Sequence, residues 1–150
     1  MAGVIQGRVL VAGAVEGAAL ASTEPLSFWG GYDQTSGEII DRRHPLSGCI
    51  AVDKILALPA SRGSSTTAAV LLEAVRRGTA PAAIITDGTD TFLTLAAIVA
   101  DEMYQRTFTV VSVDPEEFER LLSAERLRIT VDGSIEVIEP VSNREADYTL

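Results

Sequence analysis

Cysteine and histidine are almost missing from this 150-residue chain: Cys49 and His44 each stand alone. A lone cysteine cannot close an internal disulfide. One cysteine with one histidine also falls short of the three or four ligands that zinc or an iron–sulfur cluster takes, so no metal site is expected here. Long apolar runs are lacking too. The longest, residues 80–86 and 93–100, are well under the roughly 20 residues needed to cross a bilayer. No basic start leads into an apolar stretch, so nothing reads as a signal peptide. Positive charge is also scarce, with 12 Lys and Arg against 21 Asp and Glu for a net charge of -9. That balance argues against a nucleic-acid partner, which requires a basic surface. The expectation is a cytoplasmic protein that binds neither nucleic acid nor membrane.

What is present suffices for a core. Hydrophobic residues make up 47% of the chain and the mean hydropathy is positive, which fits one folded domain over residues 1–150. Residues 141–150 read as a polar tail. Residues 4–11 form a β-branched and aliphatic run interrupted by Gly7, read as one strand with a bulge or a close backbone approach. Residues 17–22, 38–41 and 54–58 read as further short strands. Beyond Pro59 strand and helix alternate. A helix is expected over 64–77, with its apolar stripe on Val70, Leu71, Ala74 and Val75 and its end at Arg76, Arg77 and Gly78. A buried strand over 81–86 follows, then a helix over 91–104 and a strand over 109–113. Asp114-Pro115-Glu116-Glu117 has the composition of a helix start. Residues 127–131 and 134–138 flank Asp132-Gly133, a hairpin signal. This order specifies an α/β fold with a mixed sheet and helices on one face.

Four stretches carry chemistry. In Leu58-Pro59-Ala60-Ser61-Arg62-Gly63-Ser64-Ser65-Thr66-Thr67, a strand ends, a glycine turn follows and a helix begins. Unpaired backbone N–H groups at that helix start favour negative charge, and Arg62 can bind a carboxylate or phosphate. The plainer reading is an N-cap serine beside an exposed arginine. The stretch Ser27-Phe28-Trp29-Gly30-Gly31-Tyr32-Asp33 is either a ligand-facing loop or an aromatic plug closing the end of the sheet. His44, in Asp41-Arg42-Arg43-His44-Pro45-Leu46, is either a turn residue or a site residue. Asp87-Gly88-Thr89-Asp90 ends a strand where open α/β sheets place ligands, or is a turn with Asp90 or Thr91 as a helix cap.

Taken together, 25–33, Thr35-Ser36-Gly37-Glu38-Ile39-Ile40-Asp41, His44-Pro45-Leu46, Leu58-Pro59, Arg62-Gly63-Ser64-Ser65 and 81–85 resemble the small subunit of aconitase X. The resemblance covers most of residues 1 to 140. It implies a swivelling β/β/α domain like the fourth domain of aconitase, here as a separate chain. It also implies a large aconitase X subunit that holds the iron centre, iron–sulfur or mononuclear, so that this chain binds no cofactor itself. The family's activities are dehydration of a hydroxy acid, either cis-3-hydroxy-L-proline or mevalonate 5-phosphate. The wording of residues 28–46 is closer to bacterial members, which favours the first. The serine after the family's Arg-Gly pair, its proton-transferring residue, maps to Ser64. Arg62, Gly63 and Ser65 map to substrate binding, and Ser27, Trp29, Gly30, Gly31 and His44 to a possible site loop facing the large subunit. Where the wider aconitases carry an arginine after their Ser-Ser pair, this chain has Thr66, so Arg62 or the large subunit must supply that contact.

Two other classes compete with this reading. A phosphohistidine carrier on a similar swivelling fold would use His44. A non-catalytic anion-binding module would use the Arg62 turn without chemistry.

Overall fold

The computed structural model describes residues 3–63 and 65–138. The expected polar tail at 141–150 and the candidate catalytic Ser64 lie outside the described residues. Twelve elements follow in chain order: β1 (Val4–Gln6), β2 (Arg8–Val11), β3 (Val15–Ala21), α1 (Phe28–Gly31), β4 (Ile55–Leu58), α2 (Ser65–Arg77), β5 (Ala83–Asp87), α3 (Thr91–Tyr104), β6 (Thr109–Val113), α4 (Pro115–Glu119), β7 (Arg126–Ile129) and β8 (Ser134–Val137).

The strands form one mixed sheet in the order β1-β8-β7-β3-β4-β5-β6-β2. Strands β3, β4, β5 and β6 run parallel, and the β1–β8, β8–β7, β7–β3 and β6–β2 pairs are antiparallel. The two edge strands, β1 and β2, are consecutive in the chain with only Gly7 between them. The sheet therefore curls until its edges meet at Gly7, whose N–H donates to Gly133 O at 2.9 Å. A Cβ at Gly7 would overlap Val111 Cγ1 and crowd the Gly133 and Ser112 carbonyl oxygens at 3.1 and 3.2 Å. Of the two readings of Gly7, bulge or close approach, the close approach holds. Residues 4–11 are not one strand, however, because the chain passes there from one edge of the sheet to the other.

Curling divides the core in two. Strand residues alternate between faces, so Ile55 and Ala57 of β4, Ala83 and Ile85 of β5, and Val111 and Val113 of β6 face inward. There they pack with Ile5, Leu127, Ile129, Ile135 and Phe118. Their neighbours Leu56, Leu58, Ile84 and Val110 face outward against Val70, Leu71 and Ala74 of α2 and Leu93, Ala96, Ala97 and Ala100 of α3. Two β layers covered by one helical layer give the β/β/α arrangement. The stripe expected on α2 is the face it buries. Its last turn carries Arg76 and Arg77, both paired with Glu73 at 2.5 and 2.6 Å.

Two local expectations need correction, and a third, the helix start at Asp114-Pro115, holds without a side-chain bond. Residues 38–41 form no strand. Glu38 and Ile39 make isolated bridges to Ile50 and Tyr32, because the loop folds on itself through Asp33, whose Oδ1 accepts from Thr35 N–H at 2.8 Å. That bond holds the Asp33 carboxyl below its usual range. Asp114 stands at the N-cap of α4 with Pro115 following it, but its side chain makes no capping bond. The hairpin loop is one residue longer than Asp-Gly alone: Gly133 N–H bonds to Thr130 O, and Thr130 N–H to Ser134 O.

Candidate functional site

Because β4, β5 and β6 are parallel, the connections at their C-terminal ends gather at one end of the sheet. The turn after β4 holds Ser61, Arg62 and Gly63 before α2 begins at Ser65. Leu26 pairs with Ser61 in a parallel bridge, and Arg62 N–H donates to Leu26 O at 2.9 Å. This backbone pairing lays the segment beginning at Leu26 along the turn, so two of the candidate stretches share one end of the domain.

The Asp87–Asp90 turn joins them. Asp87 N–H donates to Pro59 O, and Gly88 N–H to Val113 O, both at 3.2 Å. Asp90 is the N-cap of α3, its Oδ1 accepting from Phe92 and Leu93 N–H at 3.1 Å each. Its second oxygen accepts from Ser61 N–H at 2.7 Å and from the Ser61 hydroxyl at 2.8 Å. The cap reading of Asp90 is right but incomplete, because the same carboxylate also anchors the turn before α2.

Within that anchored turn, Gly63 has φ +116°, a conformation that L side chains rarely adopt. Arg62, Gly63 and Ser65 are exposed. Among the described residues the Arg62 guanidinium has no hydrogen-bond or ion-pair partner, and Thr67 is fully buried with its Oγ1 unpartnered. The turn thus offers an exposed cation at the positive end of a 13-residue helix, an arrangement suited to an anionic group.

The aromatic loop divides between the two readings made of it. Phe28 is buried and stacks at a tilt on Tyr32, with ring centroids 5.5 Å apart. It is a plug. Trp29 is 66% exposed and, with Ile40 and Val70, lines an open groove of about 470 Å³. Ser27 Oγ donates to Trp29 O at 3.2 Å, Gly30 has φ +80°, and Gly31 packs against Leu26. Burial pushes the Tyr32 phenol well above its usual range, and its hydroxyl donates to Thr79 O at 2.6 Å.

His44 is placed differently from the exposed turn. Its Nδ1 accepts from Leu46 N–H at 3.1 Å, and its Nε2 lies 3.0 Å from Glu24 O. A carbonyl only accepts, so Nε2 carries the proton and both ring nitrogens are spent on backbone. His44 braces the base of the loop. Among the described residues no three His, Cys, Asp or Glu side chains converge as a metal site, so the donor set here does not fit an iron centre. No helix among them is long and apolar enough to cross a membrane.

Sequence reasoning passed over Ser61 and Thr67 and undervalued Asp90. A capping acid is visible as a pattern. Its second partner, 29 residues back, is not.

A curled mixed sheet with its two long helices on one side, and its candidate site on the turn between β4 and α2, defines a β/β/α domain. The family model for the aconitase X swivel domain matches residues 4–138, and this chain belongs to that family. It is 44% identical over 130 residues to the cis-3-hydroxy-L-proline dehydratase of Pseudomonas aeruginosa, covering 87% of this chain and 22% of that protein. The chain thus spans about a fifth of that relative's length, and likewise 22% of the corresponding dehydratase of Hypocrea jecorina. It is 33% identical over 136 residues to the phosphomevalonate dehydratase small subunit of Thermococcus onnurineus, covering 90% of this chain and 98% of that one. Among solved structures, holo aconitase X of Thermococcus kodakaraensis superposes with a TM-score of 0.79 at 30% identity, over 91% of this chain and 99% of that one. The swivel fold that the resemblance implies is therefore the fold observed.

Proposed function

We propose that this chain is the swivelling part of a cytoplasmic aconitase X-type dehydratase and supplies Ser64 to a site completed by a large subunit. The observation that carries the reading is the turn itself: an exposed Arg62 with no partner among the described residues and a positive-φ Gly63, fixed by the Ser61–Asp90 bonds at the start of α2. Arg62, Gly63 and Ser65 receive the substrate carboxylate. Ser64, as its alkoxide, takes the α-proton, the C–H electron pair becomes the new double bond as the C–O bond breaks, and the departing hydroxide becomes water by taking the proton that Ser64 holds, which regenerates the alkoxide. In this reading the iron centre is the large subunit's.

A serine hydroxyl is a weak base, so its surroundings must favour the alkoxide. A helix N-terminus contributes about 0.3–2 kcal/mol, or about 1.5 pK units at most. The remainder comes from Arg62 and from exclusion of water when the domain closes on its partner. That requirement explains why the serine sits on a swivelling element: it is activated only when delivered.

The preferred substrate in this reading is cis-3-hydroxy-L-proline, supported by the 44% identity to a dehydratase of that name. A phosphorylated hydroxy acid is the second reading, supported by coverage of 98% of a phosphomevalonate dehydratase small subunit. The phosphohistidine alternative loses support because both His44 nitrogens are already bonded. The test is turnover of both substrates by the reconstituted complex, wild type and Ser64→Ala. The expected result is turnover of cis-3-hydroxy-L-proline, lost in Ser64→Ala with assembly intact. Full activity of Ser64→Ala would mean a non-catalytic binding module. Turnover of only the phosphate ester would replace the substrate.

A further inference from the structure

At the same end of the sheet as the Arg62 turn, a pocket of about 210 Å³ opens where β2, β5 and β6 come together. Arg8, Asp87, Ser112 and Asp114 line it, with Gly7 and Gly88 between them. None of those four side chains has a hydrogen-bond or ion-pair partner among the described residues, and Asp114 leaves its own helix uncapped. The charged three reach water. Ser112 is only 3% exposed, and a buried hydroxyl ordinarily has a partner. The opening left to it is the pocket it lines.

The strand register keeps the opposite charges apart. Arg8 stands opposite Ser112 across β2 and β6, so guanidinium and hydroxyl leave the same face of the sheet as neighbours. Ser112 stands in turn beside Thr86 of β5. Asp87 is the next residue along, and the pleat turns it to the other face. Arg8 accordingly pairs with neither Asp87 nor Asp114. The wall between them is fixed, because Thr86 Oγ1 donates to Gly88 O at 2.6 Å and Gly88 N–H to Val113 O at 3.2 Å.

We propose that this pocket binds a small α-amino acid as its zwitterion, the carboxylate on Arg8 and Ser112 Oγ and the ammonium on Asp87 and Asp114. Such a ligand carries both charges within a few atoms and can satisfy both walls at once. One guanidinium against two carboxylates repels a simple anion. Clefts that enclose drug-sized ligands run to about 300–1,000 Å³. This one is smaller and suits a single amino acid. The inference does not rest on the dehydratase reading.

The test titrates the isotope-labelled full chain with L-proline and follows its amide spectrum. The controls are cyclopentanecarboxylate, which lacks the amine, pyrrolidine, which lacks the carboxylate, and inorganic phosphate. L-Proline should shift the Gly7, Gly88 and Ser112 amides saturably and bind about tenfold or more tighter than each control, which forfeits charge-assisted contacts. Arg8→Gln and Asp87→Asn should each weaken L-proline about tenfold or more. Both should melt within about 2 °C of wild type, since neither side chain has a partner to lose. Arg62→Gln should leave the affinity within about twofold, being outside the pocket. Phosphate or cyclopentanecarboxylate binding as well as L-proline would reduce the pocket to an anion site and overturn the proposal. The absence of any saturable shift would do the same. So would shifts lost in Arg62→Gln but kept in Arg8→Gln, which would place the ligand on the Arg62 turn. A variant melting several degrees lower would show its side chain already spent in the fold, and that too overturns it.

Discussion

Asp90 holds Ser61 by two hydrogen bonds to a single carboxylate oxygen, 2.7 Å from the backbone nitrogen and 2.8 Å from the hydroxyl, while its other oxygen caps α3. One side chain thus fixes the start of a helix and the turn that precedes the neighbouring helix. The Arg62–Ser65 turn owes its position to a residue that need never touch substrate.

Asp90→Ala should therefore cost about 2–4 kcal/mol, combining a lost cap with the loss of charge-assisted bonds. Ser61→Ala should cost only about 1 kcal/mol, since its backbone N–H remains bonded. Urea denaturation of the two single variants and the double variant measures the coupling. A double variant whose loss equals the sum of the singles would show that the Ser61–Asp90 contact contributes nothing.

The Tyr32 hydroxyl donates to the Thr79 carbonyl from a mostly buried position, and that burial raises the phenol above its ordinary value of 10.0. Because the folded state holds this proton more tightly than the unfolded state, the contribution is complete below about pH 10. It is lost as pH rises above that value toward the folded pKa. Thermal melts should show stability falling above pH 10. Tyr32→Phe should flatten that fall while costing about 1–2 kcal/mol at neutral pH for the unpaired Thr79 carbonyl. An alkaline limb unchanged in Tyr32→Phe would assign it to other groups.

The parts of this fold legible in the sequence are those written within about fifteen consecutive residues. The helix over 91–104 and the strand over 109–113 occur where periodicity and composition place them. So does α2, because its stripe of Val70, Leu71, Ala74 and Val75 is a local pattern. Residues 4–11 show the limit. Their extended character was legible, but their division between two edges of a closed sheet depends on β8 and β6, strands from the far end of the chain. The candidate site divides the same way. The Arg62–Ser65 turn stood out because glycine, serine and arginine adjoin a helix start. The anchoring role of Asp90 and the unpartnered hydroxyl of Thr67 did not, since each is defined by what lies across space from it.

Two glycines separate stability from function. Gly7 is buried where the sheet closes, and an added Cβ would overlap Val111 and crowd two carbonyls. Gly7→Ala should cost about 2–4 kcal/mol and lower activity only through loss of folded protein. Gly63 is the opposite case. Its φ of +116° is unfavourable for alanine, but an added Cβ meets nothing closer than 3.7 Å, so the penalty is one of backbone strain alone. The turn is exposed and can relieve that strain by moving to negative φ. Stability should therefore fall by no more than about 1–2 kcal/mol, while Arg62 and the start of α2 lose their relative orientation. Misplacement of about 1 Å at a reacting group costs about a hundredfold in rate. Gly63→Ala should accordingly melt within a few degrees of wild type and lose about a hundredfold in kcat in the assembled complex. Near-normal turnover in Gly63→Ala would show that the chemistry does not depend on the geometry of this turn.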